Sequence, residues 1–229
     1  ASRMRRVAAL YDIHGNLPAL EAALAAVDEA RPDAIVLGGD HVLGPMPEET
    51  LARLRASGDR ARFISGNCDR LVVDAFDGRL SEKLPVSVRE AILWTASRLD
   101  RAGRDFLAAL PGTLTLPVDG LGEVLFCHAT PRSDDEIVTA RTPPERLRPA
   151  LAGVTQRVVV CGHTHMQYDR VVDGVRLLLD AEPRFERTPY DLDRAAALVR
   201  ATRYPRAEEF ATKSILTPPS EAEMLALFG

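Results

Sequence analysis

Two histidines that flank a single residue follow a short apolar run in the second half of the chain. Residues 158–161, Val-Val-Val-Cys, predict a buried strand, and Gly162 ends it so that His163 and His165 leave from its carboxyl end. Imidazole is the commonest side-chain metal ligand, and open α/β sheets bind ligands outside the carboxyl ends of their strands. The pair therefore indicates a metal site, provided that other segments supply further ligands.

Candidate ligands also follow four other apolar runs. They are Asp12 and His14 after residues 7–11, Asp40 after residues 34–37, Asn67 after residues 61–65, and His128 after residues 123–127. Any one of them could be a turn residue or a hydrogen-bonded core histidine, because Asp, Asn and Gly are common where strands end. Metal binding is the more economical explanation for the whole set.

The number and type of these ligands indicate a catalytic site with two ions. Seven ligands exceed the needs of one open catalytic ion, and two ions that share a carboxylate can stabilise both the attacking and the leaving oxygen in phosphoryl transfer. Mixed nitrogen and oxygen ligands without Cys-x-x-Cys spacing argue against a structural zinc site. We expect two divalent transition-metal ions, manganese first, with iron, zinc, nickel or cobalt as alternatives.

The elements that position these residues alternate between strand and helix in the first half of the chain. Helices are predicted over residues 18–30 and 47–56, between the first three strands, which is typical of parallel βαβ units. Residues 71–110 are predicted to be mainly helical, with Val88, Leu93 and Trp94 on an apolar face.

The second half combines strands with short helices. The predicted elements are strands 114–116 and 123–127, a polar loop 130–139, a helix 144–151, strands 168–172 and 175–179, and helices 195–201 and 221–227. Asp173-Gly174 between two apolar runs predicts a hairpin, so we expect this half of the sheet to be antiparallel. Residues from Pro205 to the last helix are predicted to be irregular.

Composition favours one domain that does not bind nucleic acid through bulk charge. The 229 residues are 46% hydrophobic, and the net charge of −4 with a pI near 5.8 provides no basic footprint. We expect a single domain over residues 1–229, with residues 205–229 as a C-terminal extension and residues 1–3, before Met4, as a remnant of cloning. Three cysteines and the lack of an apolar run of membrane-spanning length favour a cytoplasmic location.

Five segments, in this order, resemble the motifs of the calcineurin-like metallophosphoesterases. They are Asp12-Ile13-His14, Gly39-Asp40, Gly66-Asn67-Cys68-Asp69, His128 and Gly162-His163-Thr164-His165. The match is closest to the small bacterial and archaeal phosphodiesterase branch. The resemblance implies an α/β fold, a four-layer αββα sandwich of two mixed β-sheets flanked by helices.

The resemblance also implies a role for each candidate ligand. One ion is expected on Asp12, His14 and His165, the other on Asn67, His128 and His163, with Asp40 bridging both. Asp40, Asn67 and His128 are expected to serve catalysis as well, with in-line attack on phosphorus by a metal-bridging hydroxide. Arg132, which follows His128 in the loop, is a candidate to neutralise charge on the phosphate, and a solvated loop arginine is its alternative.

The chain departs from the broader family at two positions. Cys68 stands where many members have a histidine, and a thiol with an ordinary pKa near 8.5 is a poorer proton donor at neutral pH. Cys68 is either a catalytic substitute or a small buried thiol, and either reading favours substrates with good leaving groups. Asp40 is followed by His41-Val42-Leu43-Gly44-Pro45, without the second Asp of calcineurin-type phosphatases.

Three further polar residues are expected near the site. His41 is either a functional residue or a hydrogen-bonded structural histidine. Asn16 and Asp69 are interpreted as residues that orient ligands and are not ligands themselves.

The sequence therefore predicts a dinuclear metal-dependent phosphoesterase that acts on a small phosphorylated substrate. A phosphodiester or nucleotide is expected, and phosphomonoesters are included as further candidates. A dinucleoside-polyphosphate hydrolase and a phosphoprotein phosphatase are alternatives within the fold. A non-catalytic interaction scaffold, like the retromer coat subunit that resembles this fold, is the alternative of another class. No membrane partner is expected, and the oligomeric state is left open.

Overall fold

The first sheet is parallel and is built from the predicted βαβ units. The computed structural model describes residues 6–179 and 188–228, so the expected remnant at residues 1–3 lies outside the described residues. The elements are β1 (Val7–Leu10), α1 (Leu17–Ala30), β2 (Ala34–Leu37), α2 (Pro47–Arg55) and β3 (Ala61–Phe63), and the strand order is β1-β2-β3. Every residue of the central strand β2 is buried, as expected for a parallel strand covered on both faces.

Three helices fill the predicted helical region. They are α3 (Asn67–Phe76), α4 (Val86–Arg98) and α5 (Arg101–Ala108). Val72 and Ile92 form their core, but Leu93 is 45% exposed, so its predicted place on the apolar face is wrong. Trp94 is half-buried, and its ring packs against Tyr204 from the C-terminal segment.

The second sheet is mixed. It comprises β4 (Thr113–Val118), β5 (Gly122–Cys127), β6 (Val158–Cys161), β7 (Tyr168–Val172) and β8 (Val175–Leu179), in the order β4-β5-β6-β8-β7, with helix α6 (Pro144–Ala150) before β6. The hairpin between β7 and β8 is confirmed. The expectation that this half is antiparallel holds only for the outer pairs, because β6 lies parallel to both β5 and β8.

Successive side chains of each strand point to opposite faces of the sheet, and this alternation produces the four layers. Val36 of β2 packs with Phe126 and Val160 of the second sheet, so the two sheets face each other across a shared core. The neighbouring residues Ile35 and Leu37 point the opposite way and pack under α1 and α2. The outer face of the second sheet packs against α6. The predicted αββα sandwich is confirmed, with one parallel and one mixed sheet.

The C-terminal segment is more regular than the sequence suggests. Helix α7 (Leu192–Arg200) is followed by α8 (Ala207–Phe210), a π-helical stretch (Ala211–Leu216) and α9 (Glu221–Phe228), so the prediction of an irregular chain after Pro205 is wrong. Ala211 and Ile215 pack against Ala196 and Val199 of α7, and this contact stabilises a helix that Pro205 obscures in the sequence. Among the described helices, none combines the length and the apolar character needed to cross a membrane.

Candidate metal centre

The loops that carry the candidate ligands are hydrogen-bonded to each other at one edge of the sandwich. The N–H of Asp12 donates to the carbonyl of Gly39 at 3.3 Å, and that of His14 donates to the carbonyl of Asp40 at 2.8 Å. The carbonyl of His128 accepts from the N–H of Gly162 at 2.8 Å and so links the two loops of the second sheet. Because these strands end on the same edge, their following residues converge.

One group of side chains consists of Asp12, His14 and His165. The Nε2 atoms of the two histidines are 3.2 Å apart, and Nε2 of His165 is 3.5 Å from Oδ1 of Asp12. One potential ligand atom from each of the three residues lies within 4.8 Å of the others. This spacing is compatible with a shared metal ion.

A second group consists of Asp40, His128 and His163, with Asn67 beside it. Nε2 of His128 is 3.4 Å from Oδ1 of Asp40 and 3.1 Å from Oδ1 of Asn67. The rings of His128 and His163 have centroids 5.2 Å apart, and the potential ligand atoms of Asp40 and these two histidines again lie within 4.8 Å of one another. The structure thus brings all seven candidate ligands together as two neighbouring groups.

Asp40 lies between the two groups. Its Oδ1 is close to His128, while its Oδ2 is 3.6 Å from Nε2 of His14 in the first group. The side chain of Asp40 is 3% exposed, so water does little to screen its charge. A carboxylate that presents one oxygen to each group is suited to bridging.

The histidines are oriented by the backbone. Nδ1 of His128 is 2.9 Å from the carbonyl oxygen of Gly38, and Nδ1 of His14 is 3.3 Å from that of Leu43. A carbonyl can only accept, so each Nδ1 carries a proton and each Nε2 is the nitrogen that faces the centre. Nε2 of His163 is buried without a hydrogen-bond partner among the described residues, which is costly unless a ligand such as a metal ion satisfies it.

The backbone is strained where the candidate ligands lie. Asp12, His14, Asp40, His163 and His165 all have φ between 49° and 75°, a region that side-chain-bearing residues rarely adopt. Such conformations cost about 1–3 kcal/mol each and concentrate at functional sites. Five of the seven candidate ligands therefore carry strain that the surrounding fold must stabilise.

Two glycines allow the backbone to approach the carboxylates. A Cβ atom at position 66 would lie 2.2 Å from Oδ1 of Asp40, and one at position 162 would lie 2.6 Å from Oδ2 of Asp12. Both distances are far below van der Waals contact. Gly66 and Gly162 are thus required by the packing of the centre itself.

Protonation of the centre is governed by burial and by the Asp40–His128 pair. Burial would lower the pKa of His128, but the hydrogen bond and charge of Asp40 raise it to about 10. Burial would raise the pKa of Asp40, yet His128 and His14 hold it well below its usual range. Burial lowers the pKa values of His14 and His163, which keeps both rings neutral. A cation that binds Nε2 of His128 would therefore displace a proton from that ring.

Asp69 holds the loop that carries Asp40. Its carboxylate accepts hydrogen bonds from the N–H groups of Asp40, His41 and Gly66, each at 2.9 Å, and contacts Nδ1 of His41 at 2.8 Å. Asp69 thus has the orienting role that was predicted. His41 is fully buried beside Phe63, as expected of a structural histidine. Asn16, interpreted as orienting a ligand, instead caps α1 by accepting from the N–H of Ala19.

Cys68 borders the centre as a protonated thiol. The backbone N–H of Cys68 donates to Oδ1 of Asp40 at 2.9 Å. Its sulfur lies within 4.8 Å of potential ligand atoms of both His14 and Asp40. Burial, with the nearby charge of Asp40, raises the pKa of Cys68 well above its ordinary value. The described environment therefore favours the neutral thiol.

Arg132 is engaged within its own loop. Its guanidinium forms a two-pronged ion pair with Glu136, with Nε 2.9 Å from Oε2. Contact with a substrate phosphate would require this pair to open. The structure does not place Arg132 among the seven clustered side chains.

The sequence did not indicate a second ion pair on the rim, between Arg70 and Asp134. Nε and Nη2 of Arg70 donate to the two oxygens of Asp134 at 2.7 and 2.9 Å. These hydrogen bonds are the main reason that the pKa of Asp134 is lowered, and the charge of His128 makes a smaller contribution in the same direction. The partners are 64 residues apart, so no local pattern pairs them. The one available indication was that Arg70 follows Asn67 by a single helical turn.

Comparisons with known proteins agree with the architecture. The calcineurin-like phosphoesterase superfamily domain matches residues 5–187. A hypothetical protein from Pyrococcus horikoshii OT3 superposes with a TM-score of 0.72 at 19% identity, covering 90% of this chain and 97% of that one. A metallophosphoesterase from Sphaerobacter thermophilus superposes with a TM-score of 0.61 at 23% identity, covering 86% and 94%. At these identities the two structures show the shared fold. No curated protein sequence matches the chain.

Proposed function

Because the chain belongs to the calcineurin-like phosphoesterase superfamily, we propose that it is an enzyme that hydrolyses phosphodiester bonds with two divalent transition-metal ions. The observation that carries the proposal is the position of Asp40, which presents one oxygen to each of two histidine-containing groups. The donors are imidazole nitrogens with carboxylate and amide oxygens, a set that suits manganese, iron or zinc. We favour manganese.

The two groups would hold one ion each. Asp12, His14 and His165 would bind the first, Asn67, His128 and His163 the second, and Asp40 would contact both. When bound, such ions lower the pKa of a water molecule and neutralise charge on the phosphoryl group. The orphaned Nε2 of His163 supports this assignment, because a buried nitrogen with a free lone pair is a ready ligand.

The residues of the chain would contribute orientation and charge. His128 is anchored by the Gly38 carbonyl, so its Nε2 stays directed toward Asp40 and Asn67 in the second group. Asp69 fixes the main chain at Asp40 through the N–H groups that it accepts. Cys68 keeps its proton and is a weak hydrogen-bond donor, so it would stabilise a departing alkoxide only slightly. We therefore infer a preference for diesters with stable leaving groups over alkyl monoesters.

An interaction scaffold without catalysis is the alternative of another class. A scaffold has no need of two clustered ligand groups, or of strained backbone at five of the seven positions. The retention of both features favours an enzyme. A dinucleoside-polyphosphate hydrolase and a phosphoprotein phosphatase would use the same centre and differ only in what the surrounding pocket accepts.

The test is metal-stimulated hydrolysis of an activated diester. Protein stripped with a chelator is assayed on bis(p-nitrophenyl) phosphate with and without added manganese, and release of nitrophenolate is followed. We expect activity only with metal, and loss of that activity in Asp12→Asn. The matched control Asp119→Asn removes an exposed carboxylate in a turn and should retain full activity. Wild-type protein that binds metal yet hydrolyses neither this diester nor p-nitrophenyl phosphate would favour the scaffold.

A further inference from the structure

Two contacts, one helical turn apart, join the start of α3 to the loop that follows His128. At the first contact, Oδ1 of Asn67 is 3.1 Å from Nε2 of His128. At the second, Arg70 donates from Nε and Nη2 to both oxygens of Asp134, at 2.7 and 2.9 Å. Residues three apart lie on the same face of a helix, so Asn67 and Arg70 both face this loop. The first contact joins two candidate ligands, and the second joins two residues outside the ligand set.

The loop between the two contacts is braced by its own hydrogen bonds. The N–H groups of Thr130 and Ser133 each donate to the carbonyl of the other residue, at 2.9 and 3.2 Å. The hydroxyl of Thr130 donates to Oε2 of Glu136 at 2.8 Å. Thr130 is buried and follows His128 by two residues. Because these bonds hold the loop as one unit, a displacement at Asp134 would be carried back to His128.

The Arg70–Asp134 pair is partly open to water. The two side chains are 44% and 27% exposed, and ion pairs with such exposure contribute little to the free energy of unfolding. The two parallel N–H···O bonds of the fork nevertheless fix the angle as well as the distance between the partners. The pair is therefore better suited to setting the position of the loop against α3 than to stabilising the whole chain.

We propose that Arg70 is a positioning residue for the second ion, because its fork on Asp134 holds the loop against α3 and so keeps His128 and Asn67 together as ligands. The inference rests on the proposed function, since it takes Asn67, His128 and His163 to bind that ion. Loss of a residue that orients a metal ligand weakens metal binding by about 10- to 100-fold, and the exposure of this pair favours the lower limit, about 10-fold.

The first ion should not depend on Arg70. Its ligands, Asp12, His14 and His165, belong neither to α3 nor to the loop after His128. Loss of the fork should therefore weaken one of the two ions selectively. A residue that merely stabilised the fold would affect both ions alike.

Two single substitutions isolate the ions for measurement. His165→Ala removes a ligand of the first ion and leaves the second, whereas His163→Ala does the reverse. In the His165→Ala chain, Arg70→Gln should weaken zinc binding by about 10-fold in calorimetric titrations. In the His163→Ala chain, the same substitution should leave the zinc affinity unchanged. Equal effects in the two chains, or no effect in either, would overturn the proposal.

Arg200→Gln is the matched control. Nε and Nη2 of Arg200 donate to the two oxygens of Glu208 at 2.7 and 2.8 Å, and the arginine side chain is 41% exposed, so this fork resembles that of Arg70. Its loss should leave the zinc affinity unchanged in both chains. Without metal, the urea midpoints of both arginine variants should stay close to that of the protein without the substitution, because both pairs are exposed.

A double-mutant cycle tests whether Arg70 acts through Asp134. Asp134→Asn should weaken the second ion as much as Arg70→Gln does. The two substitutions together should cost no more affinity than either alone, because the members of one pair act as a unit. Additive losses would show that the two residues act independently and would overturn the role of the fork.

Zinc binding and hydrolysis together separate this proposal from the proposed function. If the wild type binds two zinc ions but hydrolyses no ester, the proposed function fails, while a selective loss of the second ion in Arg70→Gln still supports the role of Arg70. If the wild type hydrolyses bis(p-nitrophenyl) phosphate and Arg70→Gln changes neither zinc affinity, the proposed function stands and the role of Arg70 is wrong.

Discussion

His163 and His165 are separated by one residue, yet they are expected to bind different ions. His165 lies with His14 in the first group, where their Nε2 atoms are 3.2 Å apart. His163 lies with His128 in the second group, where the ring centroids are 5.2 Å apart. Each alanine variant should therefore lose one ion and keep the other.

The expected loss of metal affinity follows from the role of each imidazole ring as a direct ligand. Removing a residue that merely orients a ligand weakens metal binding by about 10- to 100-fold, so loss of a direct ligand should weaken it by at least about 100-fold, or about 2.8 kcal/mol. The side chain of His165 is 48% exposed, so its truncation leaves little cavity. Effects within one group should overlap, whereas effects in different groups should add.

Pairs of substitutions make the assignment measurable. His14→Ala with His165→Ala alters one group and should leave one ion per chain after dialysis against limiting zinc. His14→Ala with His163→Ala alters both groups and should leave none. Elemental analysis and calorimetric titration give the stoichiometry, and circular dichroism confirms the fold. One retained ion in the second pair, or none in the first, would refute the division into two groups.

Four further outcomes follow from the described contacts. Asp40→Asn removes the shared carboxylate and should lower metal-stimulated turnover by at least about 100-fold, so full turnover at saturating manganese would contradict its bridging role. Without metal, the pKa of His128 is raised from 6.5 to about 10, so its contribution to stability is complete below pH 6.5 and is lost as pH rises through 10. Urea midpoints should fall across that window in the wild type, and His128→Gln should remove this part of the decline. Gly66→Ala places a Cβ 2.2 Å from Oδ1 of Asp40 and should abolish zinc binding by calorimetry, whereas Gly112→Ala enters open space and should bind normally. Asp69→Asn cannot accept every hydrogen bond of the carboxylate and should lower the free energy of unfolding by about 1–3 kcal/mol in urea titrations; an unchanged midpoint would show that the loop does not depend on it.

Strand ends and local turn chemistry were readable from the sequence because their determinants are local. Runs such as residues 34–37 predict buried strands from composition alone, and Asp173-Gly174 specifies a hairpin from two residues. The polar residues after each strand could be selected for the same reason. Their convergence followed from a general property of parallel sheets, that carboxyl ends share an edge.

Contacts between distant segments account for the wrong prediction of an irregular chain after Pro205, whereas Arg132 and Asn16 have local partners. The helix after Pro205 depends on burial of Ala211 and Ile215 against α7, which a local pattern does not reveal. Arg132 forms an ion pair with Glu136, four residues later in the same loop, and its role toward a phosphate stays a prediction. Asn16 caps α1 by accepting a hydrogen bond from the N–H of Ala19, three residues later. This capping role competes with the orientation of a metal ligand.

The sequence by itself determined which residue types stand at the strand ends, because side-chain chemistry and alternation are properties of short segments. The family resemblance implied how those residues divide between two ions, and only the tertiary structure brings the members of each group together. It placed His163 and His165 in different groups, with Asp40 between the two groups. Those relations depend on loop conformations with positive φ and on packing between segments far apart in the chain, and such interactions exist only once the chain has folded.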